Sequence, residues 1–198
     1  MVIKRIFDIV FSFLSLVLFT PLLLLLALLI RLDSKGPVIF KQSRVGKMNK
    51  DFNIFKFRTM IVNSEDKNLL TLGNNDKRIT KLGCILRKYK LDELPQLINV
   101  LIGDMSFVGP RPELRHYVNL YSQSDLEVLA VKPGVTGLAS IKYRHEAELL
   151  KSAENPEKFY IHSIMPDKLK LNKEYIKKRS LLFDIKLLLQ TFTKIIVE

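Results

Sequence analysis

The sequence predicts a mainly helical α+β protein with an N-terminal membrane anchor, a small β-hairpin and amphipathic helices around a compact domain. Three observations predict this class. Residues 9–30 contain no charged side chain, one pair of segments after residue 36 is rich in β-forming residues, and apolar residues recur at helical spacing from residue 82 onward. We therefore expect residues 1–36 to form the anchor and residues 37–198 to form the domain.

The apolar segment from Ile9 to Ile30 is long enough to cross a hydrocarbon core of roughly 30 Å as a helix. It exceeds the apolar run of a signal peptide and no small-x-small cleavage site follows it, so we expect the anchor to be retained. Basic residues flank both ends, which places both on the cytoplasmic face. Thr20 and Pro21 lie near the middle, where proline bends a helix. These features favour a re-entrant helix-break-helix over a plain span.

Two short strands are predicted after the anchor, at Val38–Gln42 and Phe52–Phe57, joined by a basic loop. Apolar spacing from Leu82 to Leu101 predicts helix with an interruption around Pro95. Glycines and prolines between residues 103 and 137 indicate irregular backbone, where binding is expected. Two more helices are predicted at about 166–178 and 181–197. We expect the apolar stripe of the last helix to close the core, with a position on the membrane surface as the alternative.

The charge of the chain favours anionic partners. Thirty-two Lys and Arg residues against twenty Asp and Glu residues give a net charge of +12. This predicts contact with lipid headgroups, nucleic acid or phosphorylated substrates, and charge alone does not choose among them. The single cysteine, Cys84, excludes an intrachain disulfide and fits a reducing compartment.

Asp92 and Glu93 are adjacent carboxylates inside an apolar helical pattern. Neighbours on a helix point about 100° apart, so two surface acids beside basic residues is the ordinary interpretation. A carboxylate can also attack phosphorus to give an acyl phosphate, while a second one holds a metal ion or takes a proton. Spacing alone does not decide between these interpretations.

Phosphate chemistry would need cations near this pair. Arg87 precedes Asp92 by five residues, and Arg111 lies between two prolines that restrict the backbone and can present a guanidinium in fixed geometry. Lys56 and Arg58 are expected on one side of the second strand, where they could meet a pyrophosphate. The pattern by itself also fits surface cations at both positions.

Four segments, taken together and in order, resemble the bacterial sugar transferase family, the small monotopic phosphoglycosyl transferases. The segments are Lys56–Met60, Leu91–Gln96, Gly103–Pro112 and Lys132–Gly137. The resemblance runs from about Lys4 to Leu189. It implies a re-entrant helix broken at a Ser-Pro pair, for which this chain has Thr20 and Pro21.

The resemblance also implies roles for individual residues. Asp92 and Glu93 would be the catalytic dyad, with Asp92 forming a covalent phosphosugar intermediate and both residues contacting Mg²⁺. Arg87 and Arg111 would be cations of the phosphate site, which Lys56 and Arg58 are expected to extend. The role of Glu93, in metal binding or in deprotonating the lipid phosphate, is left open.

The reaction implied by the resemblance moves a sugar phosphate from a UDP-sugar to polyprenol phosphate and releases UMP. It would take place at the cytoplasmic face of a bacterial inner membrane, in contact with membrane lipids, as the first membrane step of glycan assembly. Nucleic acid is not expected as a partner, and a homo-oligomer is left open. Two alternatives are a membrane-tethered protein that binds nucleic acid or anionic lipid, and a non-catalytic scaffold.

Overall fold

The computed structural model of the chain describes residues 2–62, 76 and 78–197, except for the side chains of residues 195–197. Its α-helices are α1 (Val2–Asp33), α2 (Lys81–Lys88), α3 (Gln96–Ile102), α4 (Arg115–Val118), α5 (Leu138–Lys142), α6 (Glu146–Lys151), α7 (Pro156–Phe159), α8 (Met165–Lys178) and α9 (Leu181–Val197). Its strands are β1 (Ile39–Val45), β2 (Asp51–Phe57), β3 (Ser106–Val108) and β4 (Gly134–Thr136). The expected class, mainly helical with a small sheet and a long apolar N-terminal helix, is confirmed.

Helix α1 has the length and composition of a membrane helix. It contains 32 residues, which corresponds to about 48 Å, and meets the length and hydropathy expected of a membrane span. The backbone stays helical through Pro21, and the Thr20 hydroxyl donates to the carbonyl of Leu16 at 2.7 Å. A proline can bend a helix axis while the flanking residues remain helical. The break at Thr20 and Pro21 therefore stays a prediction.

Both ends of α1 pack against the same domain. Near its start, Arg5 donates to the carbonyls of Val100 and Leu101 at the end of α3. Near its end, Leu26 and Ile30 are buried in a core cluster that also contains residues of β2 and α2. Most apolar side chains between these two contacts are exposed. The helix thus contacts the domain near both of its ends and exposes most of its apolar surface.

The predicted hairpin is confirmed. Strands β1 and β2 pair antiparallel from Ile39 opposite Phe57 to Val45 opposite Asp51, with a tight 3-10 turn at Lys47–Asn49 between them. A second, parallel pair was not expected: β3 and β4 join the two Gly- and Pro-rich segments. Each of these strands has only three residues and is flanked by glycine or proline, so neither shows a strand pattern in the sequence.

The C-terminal helices build the rest of the domain. The predicted helices at 166–178 and 181–197 are confirmed as α8 and α9. On α9, Leu187 is buried against Val108 and Tyr175, which fits the expected core position. Leu182 and Phe192 of the same helix are exposed, by 81% and 67%. The helix therefore has an apolar face in the core and further apolar side chains outside it.

Candidate active site

The turn between α2 and α3 carries the two adjacent acids. Lys90 adopts a left-handed conformation with φ of 56°, which ends the run of α2 and starts a 3-10 turn at Leu91–Glu93. Pro95 then precedes the first residue of α3. The interruption predicted around Pro95 is confirmed. Successive side chains in a 3-10 turn point about 120° apart, so Asp92 and Glu93 face different surroundings.

Glu93 is held by two cations. Arg111 contacts both of its carboxylate oxygens, with Nη1 donating to Oε2 at 3.2 Å and Nη2 donating to Oε1. The Lys56 ammonium lies 3.6 Å from Oε1. Burial acts to raise the pKa of Glu93, but Arg111 and Lys56 outweigh it and hold that pKa well below its ordinary value. Glu93 is therefore ionised, and both of its oxygens are engaged.

Asp92 has the opposite environment. It is 7% exposed, and its buried Oδ1 has no hydrogen-bond partner within the described structure. Burial and the negative charge of Glu93 raise the pKa of Asp92, while Lys56, Arg87 and Lys90 act to lower it. An unpaired carboxylate oxygen near three cations can accept a further positive centre, such as a metal ion or an electrophilic phosphorus.

Lys56 and Arg87 reach the dyad from β2 and α2. Burial and the neighbouring arginines lower the pKa of Lys56 to about 8, against the pull of Glu93 and Asp92. Arg87 donates through Nε to the hydroxyl of Thr59 at 3.1 Å and interacts electrostatically with Asp92. The structure thus brings two predicted phosphate-site cations to the acids.

Arg111 is presented by a loop that the short parallel sheet supports. The Gly109 N–H donates to the Thr136 carbonyl and the Gly134 N–H donates to the Pro110 carbonyl, each at 2.9 Å. A Cβ at Gly134 would lie 2.1 Å from the Gly109 nitrogen, so the two backbones approach too closely for any side chain there. This packing fixes the base of the loop from which Arg111 reaches Glu93.

Arg58 is not brought to the dyad. Strand β2 ends at Phe57, and the Arg58 guanidinium turns to the end of α1, where Nη2 donates to the carbonyls of Ile30 at 3.2 Å and Ser34 at 2.6 Å. A cation at a helix C-terminus satisfies free carbonyls and complements the helix dipole. The expected position of Arg58 on β2 beside Lys56 is therefore wrong, whereas a role for Arg58 in binding phosphate stays a prediction, since its buried Nε and Nη1 have no hydrogen-bond partner within the described residues.

A buried charged network beside Arg111 was not found from the sequence. Glu113 accepts hydrogen bonds from Tyr160 Oη and, at 3.3 Å, from Arg44 Nη1. The Lys168 ammonium lies 3.6 Å from Glu113 and donates to Glu146 at 3.0 Å. Arg44, Tyr160 and Lys168 are far apart in the chain, and only the position of Glu113 directly after the Pro-Arg-Pro loop was available as a signal.

A cavity of about 470 Å³ opens next to Glu93 and Arg111. It continues past the charged network to Tyr117 on α4 and Ser140 on α5. Apolar side chains supply part of its wall: Leu94, Leu97, Leu114, Val135, Ala139 and Leu150. Glu93 lines the cavity, whereas Asp92 is not among the lining residues.

The carboxylates fit a metal ion only in part. The described part of the chain has no group of three or more His, Cys, Asp or Glu side chains that could hold a metal. Mg²⁺ is commonly held by one or two carboxylates together with substrate phosphates, and the unpaired Oδ1 of Asp92 suits that mode. Glu93 does not offer a free oxygen while Arg111 occupies both.

Comparisons with known proteins show what the whole chain is similar to. A family model described as bacterial sugar transferase matches residues 1–198. A UDP-N-acetylgalactosamine-undecaprenyl-phosphate N-acetylgalactosaminephosphotransferase of Aeromonas hydrophila is 45% identical over 152 residues, covering 74% of this chain and 35% of the relative. A UDP-glucose:undecaprenyl-phosphate glucose-1-phosphate transferase of Escherichia coli strain K12 is 42% identical over 195 residues, covering 96% of this chain and 39% of the relative.

One further relative is matched over most of its own length. The uncharacterized sugar transferase EpsL of Bacillus subtilis strain 168 is 37% identical over 199 residues, covering 100% of this chain and 89% of that protein. The chain spans only 35% and 39% of the two enzymes described above. Since the family model covers the whole chain, the chain belongs to the bacterial sugar transferase family.

Proposed function

We propose that the chain transfers a sugar phosphate from a UDP-sugar to a polyprenol phosphate, with release of UMP. The observation that carries this proposal is the environment of Asp92, a buried carboxylate with an unpaired oxygen among cations, beside an ionised Glu93. The names of the relatives from Aeromonas hydrophila and Escherichia coli support the donor and acceptor classes.

The mechanism consists of two displacements at the sugar-bearing phosphorus. In the first, an Asp92 carboxylate oxygen bonds to that phosphorus, the bond to the bridging oxygen breaks, and UMP leaves with the electron pair. In the second, an oxygen of the polyprenol phosphate attacks the same phosphorus and the aspartyl oxygen leaves as the carboxylate. Polyprenol diphosphate sugar is the product, and Asp92 is restored.

The cations around the dyad stabilise the charge that moves during both steps. Arg111 and Lys56 form ion pairs with Glu93, and Arg87 interacts electrostatically with Asp92. A diphosphate bound here would share these cations with Glu93, which we infer positions Arg111 and Lys56 rather than taking a proton. We propose Mg²⁺ as cofactor, held by Asp92 and substrate phosphates, where it would neutralise charge on the diphosphate.

Replacing Asp92 tests the proposal directly. We expect Asp92→Asn to abolish transfer, because the neutral amide keeps the size of the side chain and removes its nucleophilic oxygen. Wild type, given radiolabelled UDP-sugar with Mg²⁺ and no acceptor, should release UMP and retain the sugar phosphate covalently. Asp33→Asn, at an exposed acid at the end of α1, is the matched control and should behave as wild type. Sustained turnover by Asp92→Asn would contradict the assignment.

We also propose that α1 dips into the cytoplasmic leaflet of a bacterial inner membrane and returns to the same face, with residues 37–198 as the catalytic domain on that face. The contacts that both ends of α1 make with one domain support this placement. A plain span would instead carry the two ends to opposite faces.

Cysteine labelling distinguishes the two placements. In a Cys84→Ser background, Ile3→Cys and Lys35→Cys place one thiol at each exposed end of α1. An impermeant maleimide should label both in inside-out vesicles and neither in intact spheroplasts. Labelling of the two thiols from opposite faces would contradict the re-entrant anchor.

A further inference from the structure

Two residues that line the cavity beside the dyad carry a hydroxyl group without a partner. Tyr117 Oη and Ser140 Oγ are both buried, and neither makes a hydrogen bond within the part of the chain that the structure describes. Both residues line the cavity that begins at Glu93 and Arg111. Buried polar groups without partners are rare and costly in folded proteins, so a pair of them in one cavity calls for an occupant.

The other hydroxyls around this cavity are already engaged. Tyr143 Oη donates to Asp167 at 2.8 Å, Tyr160 Oη donates to Glu113, and the hydroxyls of Thr136 and Thr191 lie 2.7 Å apart. The two unpaired groups are therefore not a general property of the wall, because each neighbouring hydroxyl has found a protein partner.

The position of Tyr117 is fixed by packing. The residue is 1% exposed, and its ring centroid lies 4.7 Å from that of Tyr160 in the largest described core cluster of the C-terminal helices. A hydroxyl on a ring held in this way cannot turn out to water without opening the core. Because almost none of this oxygen is accessible in the free protein, a hydrogen bond with a ligand requires the cavity wall to shift on binding.

We propose that this cavity holds the sugar of the donor, with Tyr117 Oη and Ser140 Oγ as hydrogen-bonding partners of its hydroxyl or amide substituents. The proposal rests on the proposed function and deepens it. A pyranose carries polar groups around its rim and apolar C–H faces, which matches two free hydroxyls set in a wall that includes leucine, valine and alanine side chains. The sugar is bonded directly to the phosphorus that Asp92 attacks, whereas the nucleoside lies one phosphate further away, so the group nearest the dyad is the sugar.

Two variants that remove one oxygen each test this assignment. We expect Tyr117→Phe and Ser140→Ala each to raise the KM for the preferred UDP-sugar about 3- to 10-fold, with kcat changed less than about twofold, because the lost contact lies away from the reacting atoms. The inhibition constant of UMP should stay unchanged, since UMP lacks the sugar that is transferred. Tyr121→Phe is the matched control: it packs against the same core cluster and does not line the cavity.

Stability without ligand gives an independent readout. Because the Tyr117 hydroxyl has no partner in the fold, its removal should leave the thermal unfolding midpoint of the free protein unchanged or higher. A UDP-sugar that lacks the contacted hydroxyl should respond to Tyr117→Phe less than the complete donor does, since the contact is then already absent.

Each outcome of these measurements supports or contradicts the sugar site. An unchanged KM in both variants, with active wild type, contradicts the sugar site and leaves the proposed function standing. A rise in the inhibition constant of UMP that matches the rise in KM overturns it in favour of a nucleoside site. A clearly lower unfolding midpoint overturns it because the hydroxyl is then structural. Wild type that releases no UMP from any UDP-sugar contradicts the proposed function itself, and the sugar site with it.

Discussion

At the scale of single residues, the two adjacent acids differ in how their charge is compensated. Glu93 has Arg111 across both oxygens and Lys56 near one of them, whereas Asp92 keeps a buried oxygen without a partner. One carboxylate is thus stabilised as an anion and fixed in place, and the other remains available for bonding. A difference of this kind between neighbouring carboxylates is how one site assigns them separate roles.

The pH dependence of kcat/KM should show two limbs. Asp92 must be ionised to attack, and its pKa is raised, so activity should fall as pH decreases through a value above the ordinary range of an aspartate. The pKa of Lys56 is lowered to about 8, so activity should also fall as pH rises through about 8 and this cation is lost. Lys56→Arg keeps its charge and should remove the alkaline limb. A profile of Lys56→Arg identical to that of wild type would contradict the role of Lys56.

Arg111 should resist conservative replacement. We expect Arg111→Lys to lower kcat/KM about 10- to 100-fold, because an ammonium cannot contact both oxygens of a carboxylate or phosphate as the planar guanidinium does. Steady-state UMP release measures the effect. Arg115→Lys is the matched control, since Arg115 lies four residues further and pairs with Asp51 on the exposed side of β2. Equal activity of Arg111→Lys and wild type would contradict a role for Arg111 in binding phosphate.

At the scale of elements, the position of a strand end decides which groups the Arg58 side chain contacts. Alternation along β2 predicted that Lys56 and Arg58 point the same way, but the strand ends at Phe57 and Arg58 binds the last carbonyls of α1. Gly36 adopts φ of +131° beside the guanidinium, and a Cβ there would lie 2.3 Å from Nη1. No local pattern contains this contact, because it depends on where α1 docks.

Arg58→Lys should therefore affect stability and not chemistry. We expect the free energy of unfolding to fall by about 1–3 kcal/mol, since hydrogen bonds from a charged group to buried carbonyls are lost. The KM and kcat of the protein that remains folded should stay within about twofold of wild type. Denaturant unfolding in detergent together with UMP release measures both quantities. A large rise in KM without a change in stability would show that Arg58 contributes to substrate binding.

Much of the helical and hairpin structure could be predicted because its signals are local. The hairpin, the interruption before Pro95 and the helices α8 and α9 follow from residue type and spacing within about twenty residues. Strands β3 and β4 could not, because three residues carry no period and the pair forms only when distant segments meet. The sequence did not predict a site role for Arg44, Tyr117 or Lys168 for the same reason, since only the folded chain places them around one cavity.

At the scale of the whole molecule, α1 has the composition of a membrane helix and also contributes to the core. Leu26 and Ile30 are 5% and 2% exposed and share a cluster with Phe57 and Leu86. An anchor that only tethered the domain would have no buried residues of this kind. We therefore expect the predicted anchor, residues 1–36, and the predicted domain, residues 37–198, to depend on each other for stability.

A pair of substitutions on α1 separates the two roles. Ile30→Ala should lower the free energy of unfolding in detergent by about 2–5 kcal/mol, because it leaves a cavity in the core. Leu18→Ala, at a position 73% exposed, is the matched control and should change that free energy by less than about 0.5 kcal/mol. Equal effects of the two substitutions would show that the helix packs against the domain differently from the structure described here.

The link between Lys4 and Asp184 has a consequence for biosynthesis. Lys4 donates to the carboxylate of Asp184 and to the Val108 carbonyl, so a residue of α1 is paired with a residue 180 positions later. At about 5–20 residues per second, a ribosome would need roughly 10–40 seconds to reach Asp184 after Lys4 has been made. The apolar helix would thus enter lipid before its final partner exists. Insertion of the apolar helix and the pairing of Lys4 with Asp184 would then be separate events in time.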